Sequence, residues 1–359
     1  MNHVRQIREK LPEYGLDAML LTGEANRFYV SGFHSSGTDG AALVTGKNAY
    51  FLTDGRYTEA AGRVLGTEFI LRELHRGDSY PKLLNEIFRE EKLKRIGYED
   101  STMTVASFER YQKECECELL PASKLPETLR QVKDGEELRA LEAAQRIAER
   151  ALDDILREVR PGVTEREIAA RIQYLLLHYG ASDKSFDPIV VSGANGSLPH
   201  GVPSGKVIQD GEFVTMDFGC IYHGYCSDMT RTVAVGSATE EMRRVYDTVL
   251  RAQSAGIAAA KAGVTGKEVD AAAREVITAA GYGEYFSHSF GHGVGVEIHE
   301  SPNASSLNDK PLPAGAVISA EPGIYMPGKF GVRIEDVIVV GETASRSLMN
   351  APKELLILA

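Results

Sequence analysis

The chain has 359 residues, 43% of them hydrophobic and 25% charged, which is enough apolar material for a large core and for two domains. Its formal net charge of -11 argues against nucleic acid and anionic membrane as the main partners, because both repel an acidic surface. No apolar run reaches the length of a transmembrane helix, so the expected location is the cytoplasm.

The N-terminal region alternates short strands with helices. Val4, Ile7 and Leu11 recur at helical spacing with charges between them, which is unlike the apolar core of a signal peptide. Strands are predicted at 18–21, 41–44, 50–53, 69–71 and 95–98, and helices near 2–14, 57–64, 80–92 and 104–115. We therefore predict a small α/β domain over residues 1–125, without the glycine motifs of nucleotide-binding proteins.

A polar stretch from Pro121 to Gly135 separates this region from the rest of the chain. A long charged helix is predicted directly after it, from about Glu136 to Val159. Pro and Gly in a polar segment are typical of a linker between domains. The predicted second domain covers residues 126–359.

The C-terminal region contains an internal repeat. The segment 160–168, RPGVTEREI, recurs at 261–269 as KAGVTGKEV. Each copy ends one helix at a glycine and starts the next with a Thr-x-x-Glu capping box, at Thr164 and Thr265. Gly180 and Gly281 then close the second helices, so each half is predicted to run helix, helix, hairpin.

The first predicted hairpin carries two aspartates. Strands 213–218 and 225–230, folded about Tyr222 and His223, would place Asp217 opposite Asp228. Carboxylates that face each other across a ladder repel, and Asp is depleted from strands. A cation between the two aspartates would explain the arrangement.

A histidine cluster follows in the chain. His288, His292 and His299 lie within twelve residues, and glycines at 291, 293 and 295 allow a ligand to approach His292 closely. This grouping favours at least one histidine as a metal ligand.

The second predicted hairpin repeats the acidic pattern. Strands 317–323 and 331–337, folded about residues 327–329, would place Glu321 opposite Glu335. If the two halves face each other, both hairpins meet at one central site. Four carboxylates would then be neutralised by two divalent cations, and a set of oxygens with one imidazole suits manganese, cobalt or zinc.

Taken together, these segments resemble the pita-bread metallopeptidases, and within them the prolidase and aminopeptidase P branch. The resemblance covers the C-terminal domain in chain order and is carried by the segments MDFG (216–219), SDMTRT (227–232), His288 to Pro302, EPGIY (321–325) and GVRIED (331–336). It implies an α+β pita-bread domain with an internal pseudo-two-fold repeat, following the small α/β domain.

The resemblance also implies roles for individual residues. The metal ligands would be Asp217 on one ion, Asp228 and Glu335 bridging two ions, and His292 with Glu321 on the second, with manganese the expected metal. Glu321, His200 and His299 would be catalytic, Glu321 as a proton shuttle. His200, His288, His299 and Arg333 would line the substrate pocket. By analogy, a homodimer is expected.

The expected substrate is a small peptide with proline at its second position. An Xaa-Pro bond has no N–H, which suits a site that grips the carbonyl through metal. The short chain and small N-terminal domain favour a dipeptidase, a prolidase, over an aminopeptidase P that trims longer peptides. Arg333 has two open interpretations: it pairs with a substrate carboxylate, or it orients Glu335, two residues along the same strand.

Three rival functions on this fold are weighed against this interpretation. A methionine aminopeptidase would use the same five ligands, but such enzymes usually lack the N-terminal domain and the GVRIED segment at 331–336. A non-enzymatic binding protein is the alternative from a different class, and turnover of an Xaa-Pro dipeptide would separate it from an enzyme. A metal-free creatinase-like hydrolase disagrees with the intact ligand set.

Overall fold

A computed structural model describes residues 3–359, which form two compact units that divide between Arg130 and Gln131. The helix α6 (Lys124–Gln131) occupies much of the stretch expected to be a polar linker. Leu125 and Pro126 form its buried side, whereas only some of the charged residues before Gln131 are buried. This one-sided burial is typical of a helix packed on a domain surface. The assignment of residues 1–125 and 126–359 as separate functional domains stays a prediction.

The first unit is an α/β layer structure around one mixed sheet. Its strands run in the order β4-β3-β2-β1-β5-β6. The helices are α1 (His3–Lys10), α2 (Glu24–Ser31), α3 (Thr58–Val64), α4 (Tyr80–Glu91), α5 (Val105–Glu114) and α6, and the strands are β1 (Ala18–Leu21), β2 (Ala41–Thr45), β3 (Ala49–Asp54), β4 (Phe69–Leu74), β5 (Arg95–Tyr98) and β6 (Glu118–Pro121).

All five predicted strands and four predicted helices of this unit are confirmed, with shifted ends. Residue 2, the predicted start of the first helix, lies outside the described residues. The sequence missed α2 and β6. In α2 the buried face includes Asn26 and Arg27, so polar residues interrupt the apolar periodicity that marks a helix.

The second unit contains four long helices and several short sheets. Its helices are α7 (Gly135–Ile155), α8 (Glu165–His178), α9 (Glu240–Ala259) and α10 (Gly266–Ala279), with short 3-10 turns at Gly193–Ser197 and Gly283–Tyr285. Its strands are β7 (Asp183–Lys184), β8 (Ile189–Ser192), β9 (Phe213–Phe218), β10 (Cys220–Tyr222), β11 (Tyr225–Cys226), β12 (Met229–Val235), β13 (Gly291–Gly293), β14 (Glu300–Ala304), β15 (Val317–Ala320), β16 (Gly323–Met326), β17 (Phe330–Arg333), β18 (Asp336–Val339), β19 (Arg346–Ser347) and β20 (Ile357–Leu358).

The predicted repeat is confirmed at the level of elements. Thr164 and Thr265 each accept a hydrogen bond from the backbone of the glutamate three residues on, which completes a capping box in both halves. Gly180 and Gly281 adopt left-handed backbones, with φ of 104° and 85°, just after the helices that the boxes begin. One hydrophobic cluster packs α7 and α8 on β8, β9 and β12, and another packs α9 and α10 on β15 to β18.

The two halves meet along β12 and β17. Thr232 Oγ1 donates to Arg333 O at 2.9 Å, and Glu335 N donates to Thr230 O at 3.1 Å. These bonds align the second strand of the first acidic hairpin with the second strand of the other hairpin, and so bring the acidic residues of both halves to one place.

Among residues 3–359, no helix combines the length and the apolar character needed to cross a bilayer.

Candidate metal centre

The first acidic hairpin differs from its predicted register. Tyr222 pairs with Tyr225, so the turn consists of His223 and Gly224, both with positive φ, and Asp217 lies opposite Thr230 instead of Asp228. The turn falls one residue later than predicted because a two-residue hairpin turn requires left-handed backbone at both central positions, which Gly224 readily adopts. Asp228 lies between β11 and β12, outside the ladder, and still lines the same cavity as Asp217.

The second acidic hairpin turns where it was predicted to turn. Residues 327–329 connect β16 to β17, and the pairs Gly323–Arg333 and Ala320–Asp336 share one register on either side of the glutamates. Glu321 and Glu335 therefore occupy facing positions in the gap between the two ladders. Their backbone N–H groups bond elsewhere, to Phe290 O and Thr230 O, which leaves both side chains free to point into the cavity.

The side chains of the two halves converge around His292. Its Nε2 lies 3.2 Å from Glu321 Oε1 and 3.4 Å from Asp228 Oδ2. One ligand atom from each of Asp228, His292 and Glu335 lies within 4.8 Å of the others, which is the spacing of groups that can share a metal ion. Side chains from positions more than a hundred residues apart thus meet at a single point.

Two buried carboxylate oxygens in this cluster have no hydrogen-bond partner, Asp217 Oδ1 and Glu335 Oε1. The other oxygen of each group is held: Asp217 Oδ2 accepts from Arg333 Nη2 at 2.6 Å, and Glu335 Oε2 accepts from Thr230 Oγ1 at 2.7 Å. Leaving a buried charged oxygen unsatisfied is costly, and a cation removes that cost. The residues present therefore fit divalent metal.

The electrostatics of the cluster indicate the same deficit of positive charge. Burial raises the pKa of Asp217, and burial together with the neighbouring carboxylates raises the pKa values of Asp228 and Glu335 well above their usual range. Burial would also raise the pKa of Glu321, but the hydrogen bond and charge of His292 lower it to about 2. So many buried acids in one cluster do not ionise together without added cations.

Arg333 is fully engaged by protein groups. Its Nη1 donates to Tyr325 OH at 2.8 Å and to Pro199 O at 3.2 Å, its Nε donates to Thr230 Oγ1 at 3.0 Å, and its Nη2 reaches Asp217. The side chain contacts Glu335 only through Thr230. This geometry favours a role in orienting carboxylates, with Asp217 as the direct partner in place of the predicted Glu335.

A cavity of about 880 Å³ surrounds the acidic cluster, and all nine predicted site residues line it. His288 Nε2 bonds Tyr325 OH at 2.8 Å, and the His299 ring packs edge-on against His292, with centroids 4.2 Å apart. His200 is exposed on the loop that follows β8. The cavity therefore has acids and His292 at one end and three further imidazoles on its walls.

Two of these wall histidines have lowered pKa values, which favours the neutral form of the ring. Burial lowers the pKa of His288, and burial together with the nearby His292 lowers the pKa of His299. A neutral imidazole offers one donor and one acceptor nitrogen, so each of these rings can exchange hydrogen bonds with a polar ligand.

Four contributors to the site were not singled out from the sequence. Tyr325 OH bridges His288 and Arg333, and Thr230 links Arg333 to Glu335. Ser319 Oγ donates to Glu321 Oε1 at 3.0 Å. The buried amide of Gln145, turned with its nitrogen toward Asp228 O and its oxygen toward Asp228 N, makes two 3.2 Å bonds.

The one mark of Tyr325 in the sequence is the glycine two residues before it, Gly323. In the structure, a Cβ atom on Gly323 would collide with the Tyr325 hydroxyl. Glycine there makes room for the phenol to fold back over the strand. Thr230, Ser319 and Gln145 carry no such mark, since each acts through a contact that only folding creates.

Comparison with known proteins identifies the family. Residues 139–342 match metallopeptidase family M24, and residues 3–132 match the creatinase/prolidase N-terminal domain. The chain is 37% identical to the Xaa-Pro dipeptidase of Pyrococcus horikoshii over 98% of both proteins.

Two solved structures resemble the whole chain. A structure of the Xaa-Pro dipeptidase from Bacillus anthracis superposes with a TM-score of 0.94 at 41% identity, covering 99% of each chain. The X-Pro aminopeptidase from Thermotoga maritima superposes with a TM-score of 0.92 at 36% identity, covering 99% of this chain and all of the other. The chain belongs to metallopeptidase family M24, with the pita-bread architecture and with a creatinase/prolidase N-terminal domain ahead of it.

Proposed function

We propose that this protein is a metal-dependent Xaa-Pro dipeptidase. The observation that carries the proposal is the pair of buried, unpartnered oxygens on Asp217 and Glu335, one from each half, beside Asp228, Glu321 and His292. A second support is the similarity over almost the full chain to proteins named Xaa-Pro dipeptidase.

In this proposal five residues would hold two divalent cations. Asp217 would hold one ion, His292 with Glu321 would hold the other, and Asp228 with Glu335 would serve both. Manganese is the proposed metal, with cobalt and zinc as alternatives, because the donors are mainly carboxylate oxygens with one imidazole. When bound, the cations would polarise the scissile carbonyl and make water acidic enough to attack near neutral pH.

The protein groups complete the chemistry. Glu321 lies within 3.2 Å of His292 Nε2 and accepts from Ser319, so its carboxylate is fixed at the acidic end of the cavity, where it can carry a proton from the attacking water to the leaving nitrogen. His200 and His299 lie on the cavity walls and donate hydrogen bonds to the carbonyl oxygen as it gains charge. His288, fixed by Tyr325, contacts the substrate on the same side.

Before cleavage, the scissile nitrogen of an Xaa-Pro peptide belongs to a tertiary amide and carries no N–H. After cleavage it leaves as the secondary amine of proline. A site that grips the carbonyl side therefore loses nothing when the residue after the bond is proline. The cavity lining also includes Phe186, Ile189 and Ile298, which offer apolar surface for the pyrrolidine ring.

The direct test compares three peptides with the manganese-loaded protein: Ala-Pro, Ala-Pro-Ala and Ala-Ala. We expect kcat/KM for Ala-Pro to exceed the other two values by about tenfold or more. Hydrolysis of Ala-Ala at the rate of Ala-Pro would contradict the proline requirement. Metal-loaded protein that cleaves none of these peptides would favour a binding protein.

An aminopeptidase acting on longer Xaa-Pro peptides is the second candidate. It is favoured by the similarity to the X-Pro aminopeptidase of Thermotoga maritima, which covers both chains almost completely. In the same assay this activity would appear as faster cleavage of Ala-Pro-Ala than of Ala-Pro. A homodimer in the cytoplasm stays part of the proposal, and light scattering of the purified protein tests the subunit number.

A further inference from the structure

The segment from Gly193 to Ser204, here called the His200 loop, forms one wall of the cavity and carries His200. Leu198 and Val202 are 56% and 82% exposed, so burial of these apolar side chains does not hold the loop in place. A loop with little apolar packing is free to move unless polar contacts fix it. Its position over the site must come from specific hydrogen bonds.

Glu165, in the first turn of α8, provides such bonds at both ends of the loop. Its Oε1 accepts from Ser192 N at 2.7 Å and from Ser192 Oγ at 3.0 Å, just before the loop begins. Its Oε2 accepts from Ser204 N at 3.1 Å and Ser204 Oγ at 2.7 Å, where the loop ends. Asn195 Nδ2 lies 3.1 and 3.2 Å from the two oxygens. The carboxylate is completely buried, and these six contacts satisfy it.

The middle of the loop is held from the other side. Pro199 O accepts from Arg333 Nη1 at 3.2 Å, directly before His200. Gly196 lies against Gly331, where a Cβ atom on either residue would crowd the other backbone. Glu165 fixes the two ends and Arg333 fixes the centre, so His200 is left with a defined position above the acidic cluster.

The second half of the unit shows that Glu165 is not needed to begin the helix. Gly266 occupies the corresponding place after Thr265, and α10 starts with the same capping box. The backbone contacts also correspond: Glu165 N donates to Lys206 O, and Gly266 N donates to Lys310 O. In the second half the adjacent loop is closed by its own Asn308, whose Nδ2 donates to Asn303 O at 2.6 Å.

We infer that Glu165 is a positioning residue for catalysis, holding the His200 loop so that His200 faces the substrate carbonyl. This inference rests on the proposed function for the part played by His200. Glu165 lies outside the cavity lining and would fix the position of His200, which lines the cavity. Misplacing a catalytic group by about 1 Å can cost about 100-fold in rate, so the effect on turnover is measurable.

The test uses the full-length, metal-loaded protein with Glu165→Gln and Glu165→Ala. Glutamine keeps one oxygen for one end of the loop and turns an N–H₂ group toward donors at the other end, so it breaks half of the contacts with little change in volume. Glu167→Gln is the matched control, because Glu167 lies in the same helical turn and bonds only Thr164. Each change is also made in a His200→Ala background.

We expect amide hydrogen exchange in residues 193–205 to become about tenfold faster in both Glu165 variants and to stay unchanged in Glu167→Gln. Bound metal should match the parent protein, while kcat/KM for Ala-Pro falls about 10- to 100-fold. In the His200→Ala background the Glu165 changes should cause no further loss, because both act through one group.

Unchanged exchange in the loop, or a loss that persists in full without His200, would overturn the inference. Loss of activity in Glu167→Gln equal to that in Glu165→Gln would do the same, since it would trace the effect to the helix start. If Glu165→Ala does not fold, Glu165→Gln supplies the result. A parent protein inactive on every peptide would overturn the proposed function, while the exchange data would still decide whether Glu165 holds the loop.

Discussion

The two halves of residues 131–359 share a scaffold and differ in what they attach to it. Both begin their second helix with a Thr capping box, and both lay that helix start against a following loop through matching backbone bonds. The first half supplies Asp217 and Asp228 to the cavity, and the second supplies Glu321, Glu335 and His292. Repetition has preserved the backbone frame, while the side chains that enter the cavity have become specialised.

Each half also supports an acid of the other half. Arg333, from the second half, holds Asp217, and Thr230, from the first half, holds Glu335. These bonds cross the pseudo-symmetry and leave the remaining oxygen of each carboxylate without a partner. Neither half therefore contains the whole site, and the cluster of acids forms only where both halves are packed together.

The largest expected effect comes from removing one proposed bridging acid from either half. Asp228→Asn and Glu335→Gln should each lower kcat/KM for an Xaa-Pro dipeptide by more than about 1,000-fold, because each would remove several kcal/mol of charge stabilisation from both metal positions. Metal analysis should show both ions depleted.

The exposed Glu342→Gln is the control for these two changes. Equal losses of kcat/KM and of metal in Asp228→Asn and Glu335→Gln would mean that the two halves contribute equally to metal binding. Full activity in Glu335→Gln would refute the ligand assignment.

A smaller effect is expected from two of the wall histidines, His200 of the first half and His299 of the second. His200→Ala and His299→Ala should keep the metal content of the parent and lower kcat by about 100-fold or more, since in the proposed function they contact the reacting carbonyl and not the metal. Steady-state kinetics together with metal analysis separates the two effects. Metal loss in either variant would move that histidine into the ligand set.

The cross-support between the halves is tested by Arg333→Lys. Lysine cannot bond Asp217, Tyr325, Thr230 and Pro199 O at once, so metal affinity should fall about 10- to 100-fold and turnover should recover in excess metal. Thr230→Val should weaken metal binding less, since it frees one oxygen of Glu335 and introduces no change in charge. Chelator competition measures both affinities, and an Arg333→Lys protein with unchanged affinity would return Arg333 to the substrate-carboxylate interpretation.

The smallest effect is expected from the two helix capping boxes that the halves have in common. Thr164→Ala and Thr265→Ala should each lower the free energy of unfolding by about 1 kcal/mol, because each removes the side-chain acceptor at a helix start. The double variant should show the sum, since the sites share no contacts. Urea unfolding of the metal-free protein measures the changes. Clearly unequal values would mean that the two halves are not stabilised alike.

Much of the architecture could be predicted from local patterns. The strands of the first unit follow from short apolar runs, and the capping boxes follow from Thr-x-x-Glu spacing, because both signals act over a few neighbouring residues. The helix α2 was missed because its buried Asn26 and Arg27 hide the apolar face. The first hairpin register was wrong by one turn position, since two candidate turns lie side by side at 222–224.

Local patterns in the chain were enough to establish the repeated order of helix and hairpin, the four acids, the histidine-rich segment and the resemblance to the family. Folding was needed to reveal that Arg333 holds Asp217, that Tyr325 and Thr230 connect the pocket, and that Glu165 bonds both ends of the His200 loop. Capping and turn formation depend on neighbours in the chain, whereas most of these bonds join residues about 30 to more than 100 positions apart. The bonds of Arg333 to Asp217 and of Thr230 to Glu335 form only when the two halves pack.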